Sequence, residues 1–297
     1  MRPHSELKTA ISAAARSLAA AGIDSAQVDA ELLAAHVAGV DRGRLAVLDV
    51  PGPPDFEARY RDLVDARARR IPLQHLTGLA PFGPLMLHVG PGVFIPRPET
   101  EAMLEWCMKA LADHHDPTIV DLCTGSGALA VALARHRPDA TVVAVDDSPD
   151  ALRYAARNAT GTQIQLVEAD VNAPGLLPHL DGRVDLLVCN PPYIPVGAEL
   201  ESEVAQHDPH HALFGGPDGM AVIGAVVELA VRWLRPGLAT WAQRPAAQSM
   251  TSAAGRCGRW GSCRAMGLRE RVATTNRRRR CWGTPWSAAS STMGASA

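Results

Sequence analysis

Residues 185–193 read Asp-Leu-Leu-Val-Cys-Asn-Pro-Pro-Tyr, and no other stretch constrains the chain so tightly. Leu186–Cys189 is short, apolar and β-prone, the signature of a strand buried on both faces. Pro191 and Pro192 cannot donate to a ladder and hold the backbone extended, so the strand ends at Asn190. The product is a stiff loop at the C-terminal edge of a buried strand, the place where open α/β sheets bind ligands.

The loop carries a distinctive set of acceptors. Asn190 presents a side-chain carbonyl, and Pro191 a backbone carbonyl with no neighbouring N–H competing for it. Two rigid acceptors facing one way grip both hydrogens of a planar –NH2 group, and Tyr193 packs flat against that group. The competing reading is an Asx-Pro turn that merely ends a strand. These four residues alone do not decide between the two.

A second motif lies upstream. Thr118–Leu122 is strand-like, and Cys123-Thr124-Gly125-Ser126-Gly127 opens a helix through Arg135. A glycine-rich turn between strand and helix lets a ligand approach the backbone. The next strand, Thr141–Val145, ends at Asp146, about twenty residues past the glycines, where a carboxylate grips ribose hydroxyls. A third strand, Ile164–Val167, leads to Asp170, and Val184–Cys189 is the fourth. Strands alternating with helices predict a doubly wound, mostly parallel α/β sheet. Ala130 stands where a dinucleotide fingerprint needs its third glycine, and no phosphate-binding Gly-x-x-x-x-Gly-Lys-Ser/Thr occurs. A mononucleoside ligand fits best.

Four segments follow from the pattern. Residues 1–71 predict a helical bundle: Leu7, Ile11, Ala14 and Leu18 form one stripe, Val28, Leu32 and Ala35 a second, and Asp24 with Gln27 resembles a capping box. Residues 72–97, dense in Pro and Gly, predict a hairpin-like connector whose arms, Leu85–Val89 and Val93–Ile95, flank Gly90-Pro91-Gly92. Residues 98–237 hold the sheet. Residues 238–297 break the composition: ten Arg, one Glu and no Lys or Asp give +9, so residues 1–237 carry −11 against the chain's −2. An acidic motif-bearing part disfavours indiscriminate nucleic-acid binding. No apolar run reaches membrane-spanning length, the N-terminus lacks a secretory pattern, and the six cysteines show no paired metal spacing. A reduced, cytoplasmic protein without a metal site is expected.

Asp121–Gly127, Asp146, Asp170 and Asn190–Tyr193 together resemble the class I S-adenosylmethionine-dependent methyltransferases with a Rossmann-like sheet that act on amide or amine nitrogen. Adding Phe94-Ile95-Pro96-Arg97-Pro98-Glu99-Thr100-Glu101 and the N-terminal bundle, residues 5–237 resemble the PrmC/HemK family, the N5-glutamine methyltransferases of peptide chain release factors. Leu213–Met220 also resembles a family segment. The resemblance implies S-adenosylmethionine as cofactor, held by Asp121, Cys123, Thr124, Gly125, Ser126, Gly127 and Asn190, with its ribose on Asp146 and its adenine near Asp170 and Val171. It implies that Asn190, Pro191, Pro192 and Tyr193, with Arg97 and Glu99, hold the glutamine of a release factor's Gly-Gly-Gln loop. Asn190, Pro191 and Tyr193 would be catalytic, and the bundle would dock the substrate. The partner would be a release factor, with no direct nucleic acid required and a monomer the expected state. Two departures stand inside the motifs: Cys123 where glycine is common, and Asp208 where glutamate is usual.

After the helix Met220–Leu234 the fold requires a fifth strand, yet no strand alternation follows Arg235-Pro236-Gly237. The C-terminal strands are therefore expected to be missing or replaced, and residues 238–297 to be out of frame or disordered. Two alternatives remain: an N6-adenine methyltransferase of DNA or RNA using the same loop on a flipped base, or a cofactor-binding protein catalytically impaired by its tail.

Overall fold

A computed structural model describes residues 3–47 and 54–242. The chain opens with α1 (Pro3–Ala20), α2 (Ala26–Ala38), α3 (Phe56–Ala68) and the short α4 (Leu73–Thr77). The α1 stripe packs as expected: Ile11, Ala14 and Leu18 are buried and Leu7 leans on their cluster. On α2 the expected face is turned in part. Of that face Ala35 is buried, Leu32 is half-buried and Val28 is exposed, while Ala26, Ala30, Leu33, Ala34 and Val37 are also buried, because packing between α1 and α3 selects the alanine-lined side that lets the helices approach. The cap also differs, since Ser25 precedes α2 and its hydroxyl donates to Asp29 (2.8 Å).

The hairpin comes one arm earlier than the glycines suggest. Strand β1 (Leu79–Phe82) pairs antiparallel with β2 (Leu85–His88) around Gly83-Pro84. Val93–Ile95 is not a strand; Val93 and Ile95 are buried against Ala80, Val89 and Ala151.

The remaining elements are α5 (Glu101–Ala110), β3 (Thr118–Leu122), α6 (Ala128–His136), β4 (Thr141–Asp146), α7 (Pro149–Asn158), β5 (Gln165–Glu168), β6 (Val184–Cys189), α8 (Ser202–His207), α9 (Ala221–Trp233) and β7 (Leu234–Ala242). The sheet order is β5-β4-β3-β6-β7, all parallel. One face carries Ile119, Val142, Ala144, Leu186 and Val188 under α5 and α6. The other carries Val120, Leu122, Val143, Val145, Leu187 and Cys189 under α9. Order reverses between β3 and β6, so their C-terminal ends diverge into a crevice.

The fifth strand, expected to be missing, is present as β7. Pro236-Gly237 is accommodated because β6 and β7 shift register between Val184 and Leu186, and β7 ends the sheet among the described residues, where a proline is tolerated at a bulge. Trp233, fully buried, anchors its start. Asp185 ties the row together by accepting from the Thr118 amide (2.8 Å) and pairing with Arg235 (2.9 Å). Of the anomalous segment, residues 243–297 lie outside the described residues. Among the described residues no helix is long and apolar enough to cross a membrane.

Candidate functional site

The crevice holds a cavity of about 360 Å³, lined by the ends of β3, β4, β5 and β6, by Gly92–Arg97 and by 204–222. Each strand end contributes for a local reason. At β3, Asp121 is buried and one carboxylate oxygen accepts both from Thr124 Oγ1 (2.6 Å) and from the Ala130 amide (3.2 Å). That oxygen bridges the turn to the first turn of α6, where orphan amides need acceptors. Burial, only partly offset by these bonds, pushes the carboxyl up to about 7.

The turn is left-handed at Cys123, Gly125 and Gly127, with φ of 56°, 58° and 81°. At Gly127 a side chain would also meet Ala155 at 3.3 Å, because α6 crosses α7 there. Gly125 faces open space, so its bareness serves an approaching ligand rather than packing. Cys123 adopts the left-handed conformation at a cost on the order of 1 kcal/mol that glycine avoids.

Asp146, at the end of β4, accepts from the Gly125 amide (2.8 Å) and the Ser148 amide (3.0 Å). It therefore shapes the turn it faces. Each carboxylate oxygen keeps a second lone pair for a hydroxyl. Burial raises its pKa, against the lowering effect of the two amides. Beyond β5, Asp170 is exposed and braces Asn172 (2.7 Å), while Val171 is buried in the cavity wall.

Across the cavity, Asn190, Pro191, Pro192 and Tyr193 leave β6 along the wall. Among the described residues, nothing hydrogen-bonds the Asn190 side chain. The loop is backed by residues 213–219. The Ile194 amide donates to Leu213 (2.9 Å), the Gly215 amide to Ile194 (3.0 Å) and the Val196 amide to Gly216 (3.0 Å). A side chain at Gly215 would sit 2.4 Å from the Pro192 carbonyl oxygen, and one at Gly219 2.2 Å from that of Tyr193. The segment can back the loop only if those glycines stay bare.

Arg97 lines the cavity, stacks over Phe94 (5.0 Å) and pairs with buried Asp208. Glu99 is exposed in a single helical turn, Pro98–Thr100, and Gly127 lies behind the wall; neither lines the cavity. Motif reading missed three supports. Asp208 appeared only as a departure from a pattern, although it anchors Arg97. Buried Asn158 ties β2 to the turn through its amide N–H to His88 and Ser126 (both 2.9 Å). Arg67 joins Asp29 and Glu203 (2.7 Å each), linking α2 and α3 to α8. None carries a local signal, since each acts through a partner far along the chain.

These residues suit a nucleoside with a charged side arm: bare turn backbone, a carboxylate at ribose reach, an apolar floor and an acceptor loop opposite. Residues 9–78 match the PrmC N-terminal domain, and residues 86–211 match the methyltransferase small domain. A release factor glutamine methyltransferase of Mycobacterium tuberculosis strain H37Rv is 65% identical over 235 residues, covering 78% of this chain and 77% of that protein. Its counterpart in Mycolicibacterium smegmatis is also 65% identical, over 231 residues, with 78% and 82% covered. A 4-amino-L-phenylalanine/4-methylamino-L-phenylalanine methyltransferase of Streptomyces pristinaespiralis is 41% identical over 240 residues, with 78% and 80% covered. With both domains matched in order and this identity across most of its length, the chain belongs to the PrmC/HemK family of release factor glutamine methyltransferases.

Proposed function

We propose that this chain transfers a methyl group from S-adenosylmethionine to the side-chain amide nitrogen of the glutamine in a release factor's Gly-Gly-Gln motif. The observation that carries the reading is the placement of two dissimilar surfaces in one cavity. A bare glycine-rich turn with Asp146 faces a proline-stiffened loop whose Asn190 side chain has no hydrogen-bond partner among the described residues. The 65% identity to release factor glutamine methyltransferases supplies the acceptor.

The cofactor, when bound, supplies a methyl group already activated on a sulfonium. The Cys123–Gly127 turn would hold it, with Asp146 on the ribose hydroxyls and Asp170 and Val171 at the adenine. On the substrate side the obstacle is the acceptor, because an amide nitrogen shares its lone pair with its own carbonyl. Asn190 Oδ1 and the Pro191 carbonyl accept the two N–H groups. They stabilise positive charge growing on nitrogen and aim it along the transfer axis. Tyr193 packs on the planar amide, and Arg97, fixed by Asp208, borders the entrance. The proton leaves after transfer, so no base has to act beforehand. The helical bundle, residues 1–71, docks the body of the release factor, and residues 98–237 perform the transfer.

The test uses labelled S-adenosylmethionine with a purified release factor and with a variant factor whose Gly-Gly-Gln glutamine is alanine. Label on the unaltered factor alone is the expected result. Equal labelling of both overturns the assignment of the acceptor.

A further inference from the structure

Two thiols bridge the cofactor and substrate halves of the cavity, and the proposed transfer uses neither as a reactant. Cys123 begins the glycine-rich turn and lines the cavity; Cys189 is the last residue of β6, immediately before Asn190. In the parallel ladder Leu122 is the direct partner of Cys189, so Cys123 is one residue off register from it. Cys123, one residue past the end of β3, is thus diagonal to Cys189 across strands that lie about 4.8 Å apart, the neighbourhood in which disulfides form. Both side chains belong to the same face, Cys189 within the apolar cluster under α9 and Cys123 packed against it. Both thiols are free. Cys123 also holds a left-handed conformation that glycine would take without strain. Cys107, buried on the opposite face of the sheet, has no such neighbour among the described cysteines.

We infer that Cys123 and Cys189 form a reversible disulfide under peroxide, closing the cavity to the cofactor and suspending the enzyme. The inference rests on the reading of this cavity as the S-adenosylmethionine site. Accessibility sets the order of events. Cys123 faces the cavity, whereas Cys189 is fully buried and burial holds its thiol protonated. The Cys123 sulfur attacks one peroxide oxygen, the O–O bond breaks, water leaves and a sulfenic acid remains. The Cys189 sulfur then attacks the Cys123 sulfur. An S–S bond forms, the S–O bond breaks, and the hydroxyl departs as a second water with the Cys189 proton. Two thiols lose two electrons and the peroxide gains them. The new bond draws the Cys123 side chain toward β6 and fixes the turn to the residue that precedes Asn190. Bound cofactor covers Cys123, so a working enzyme is shielded and an empty one is the target.

The experiment uses the full chain with Cys257, Cys263 and Cys281 replaced by serine, leaving Cys107 as internal control. After hydrogen peroxide, peptide mapping without reductant reads linkage, and calorimetry reads S-adenosylmethionine affinity. The expected result is a Cys123–Cys189 linked peptide and at least a tenfold loss of affinity, restored by dithiothreitol and prevented by prior cofactor. In C189A the linked peptide is absent, a dimedone-trapped sulfenic acid appears on Cys123, and affinity falls less than in the parent. Absence of the linked peptide from the parent overturns the inference, as does linkage with unchanged affinity or an equal loss in C189A. Failure of the reduced parent to bind S-adenosylmethionine overturns the functional reading itself, and the switch with it. Linkage is read by mass, so the two failures are told apart.

Discussion

The two walls of the cavity are built in opposite ways. The cofactor wall is local: Asp121 holds Thr124 and Ala130 within nine residues, and Asp146 holds the turn it faces. The acceptor wall is assembled from afar. Residues 190–193 rest on 213–219, while Arg97 reaches Asp208, 111 residues away, and Arg67 reaches Glu203 across 136. A mostly local wall keeps its shape as long as β3, α6, β4 and α7, which are neighbours in the chain, fold together, with Asn158 adding the tie to β2. A distributed wall depends on how the helical bundle, the connector and the sheet meet, so substrate selection can change without disturbing the cofactor.

The sharpest way to break this comparison is Asn190→Ala. On the proposed role of Asn190 as one of two acceptors for the reacting nitrogen, its loss should lower kcat by about 10²–10³-fold. Cofactor affinity, measured by calorimetry, should stay within about twofold. A comparable loss of cofactor affinity would show that Asn190 belongs to both walls equally.

Asp121 tests the cofactor wall through pH. Its folded-state pKa, raised to about 7, lies above the unfolded value near 3.9. The folded state therefore binds the extra proton, and stability present below about pH 4 is lost as pH rises toward 7. The loss is a few kcal/mol at most. In Asp121→Asn the amide oxygen can accept both bonds that one carboxylate oxygen now takes. Denaturant unfolding at pH 5 and 7.5 should show a smaller decline for the variant than for the parent. Parallel declines would mean that Asp121 titrates normally.

Two glycines set the walls against each other more finely. Gly219→Ala puts a methyl 2.2 Å from the Tyr193 carbonyl oxygen at a φ of 76°. Displacing that loop by a fraction of an ångström should reduce kcat about 10–100-fold with cofactor affinity intact. Gly125→Ala meets no atom within 4 Å but fills the space a ligand needs. It should weaken cofactor affinity about tenfold and spare kcat at saturation. If both variants change the same constant, the walls are not separable.

These contrasts also explain what could be read from the sequence. The strand–glycine–helix unit and Asn190-Pro-Pro-Tyr were legible because their chemistry is contiguous, and the first four strands of the parallel sheet because each is a short apolar run. The full buried face of α2 was not, with Val28 placed wrongly and Ala35 rightly, since alanine stripes on several sides look alike until neighbouring helices choose one. The hairpin was misplaced because Gly83-Pro84 and Gly90-Pro91-Gly92 both write a turn, and only the pairing of Ala80 with Leu87 selects the first. Strand β7 was missed because Pro236-Gly237 breaks the alternation, whereas a bulged strand that ends the sheet among the described residues tolerates both. Asp208 stood out only as a departure from a pattern and Glu203 gave no signal, because each carboxylate's importance lay in a partner more than a hundred residues away.

Glu203 supplies the subtlest probe of the distributed wall. Its carboxylate pairs with Arg67 at 2.7 Å and approaches Arg70 at 3.7 Å, tying α3 to α8 just before Asp208. Arg67 keeps Asp29 when this pair is removed, so the bundle core is not left with an unmatched buried charge. Glu203→Gln should cost only about 1 kcal/mol or less of stability, as a partly exposed pair does. What it loosens is the angle at which the bundle meets the acceptor wall. The expected result is a rise of about threefold in KM for the release factor, with kcat and cofactor affinity unchanged. A fall in cofactor affinity of the same size would mean that the bundle braces the whole sheet, and the division between the walls would fail at its weakest joint.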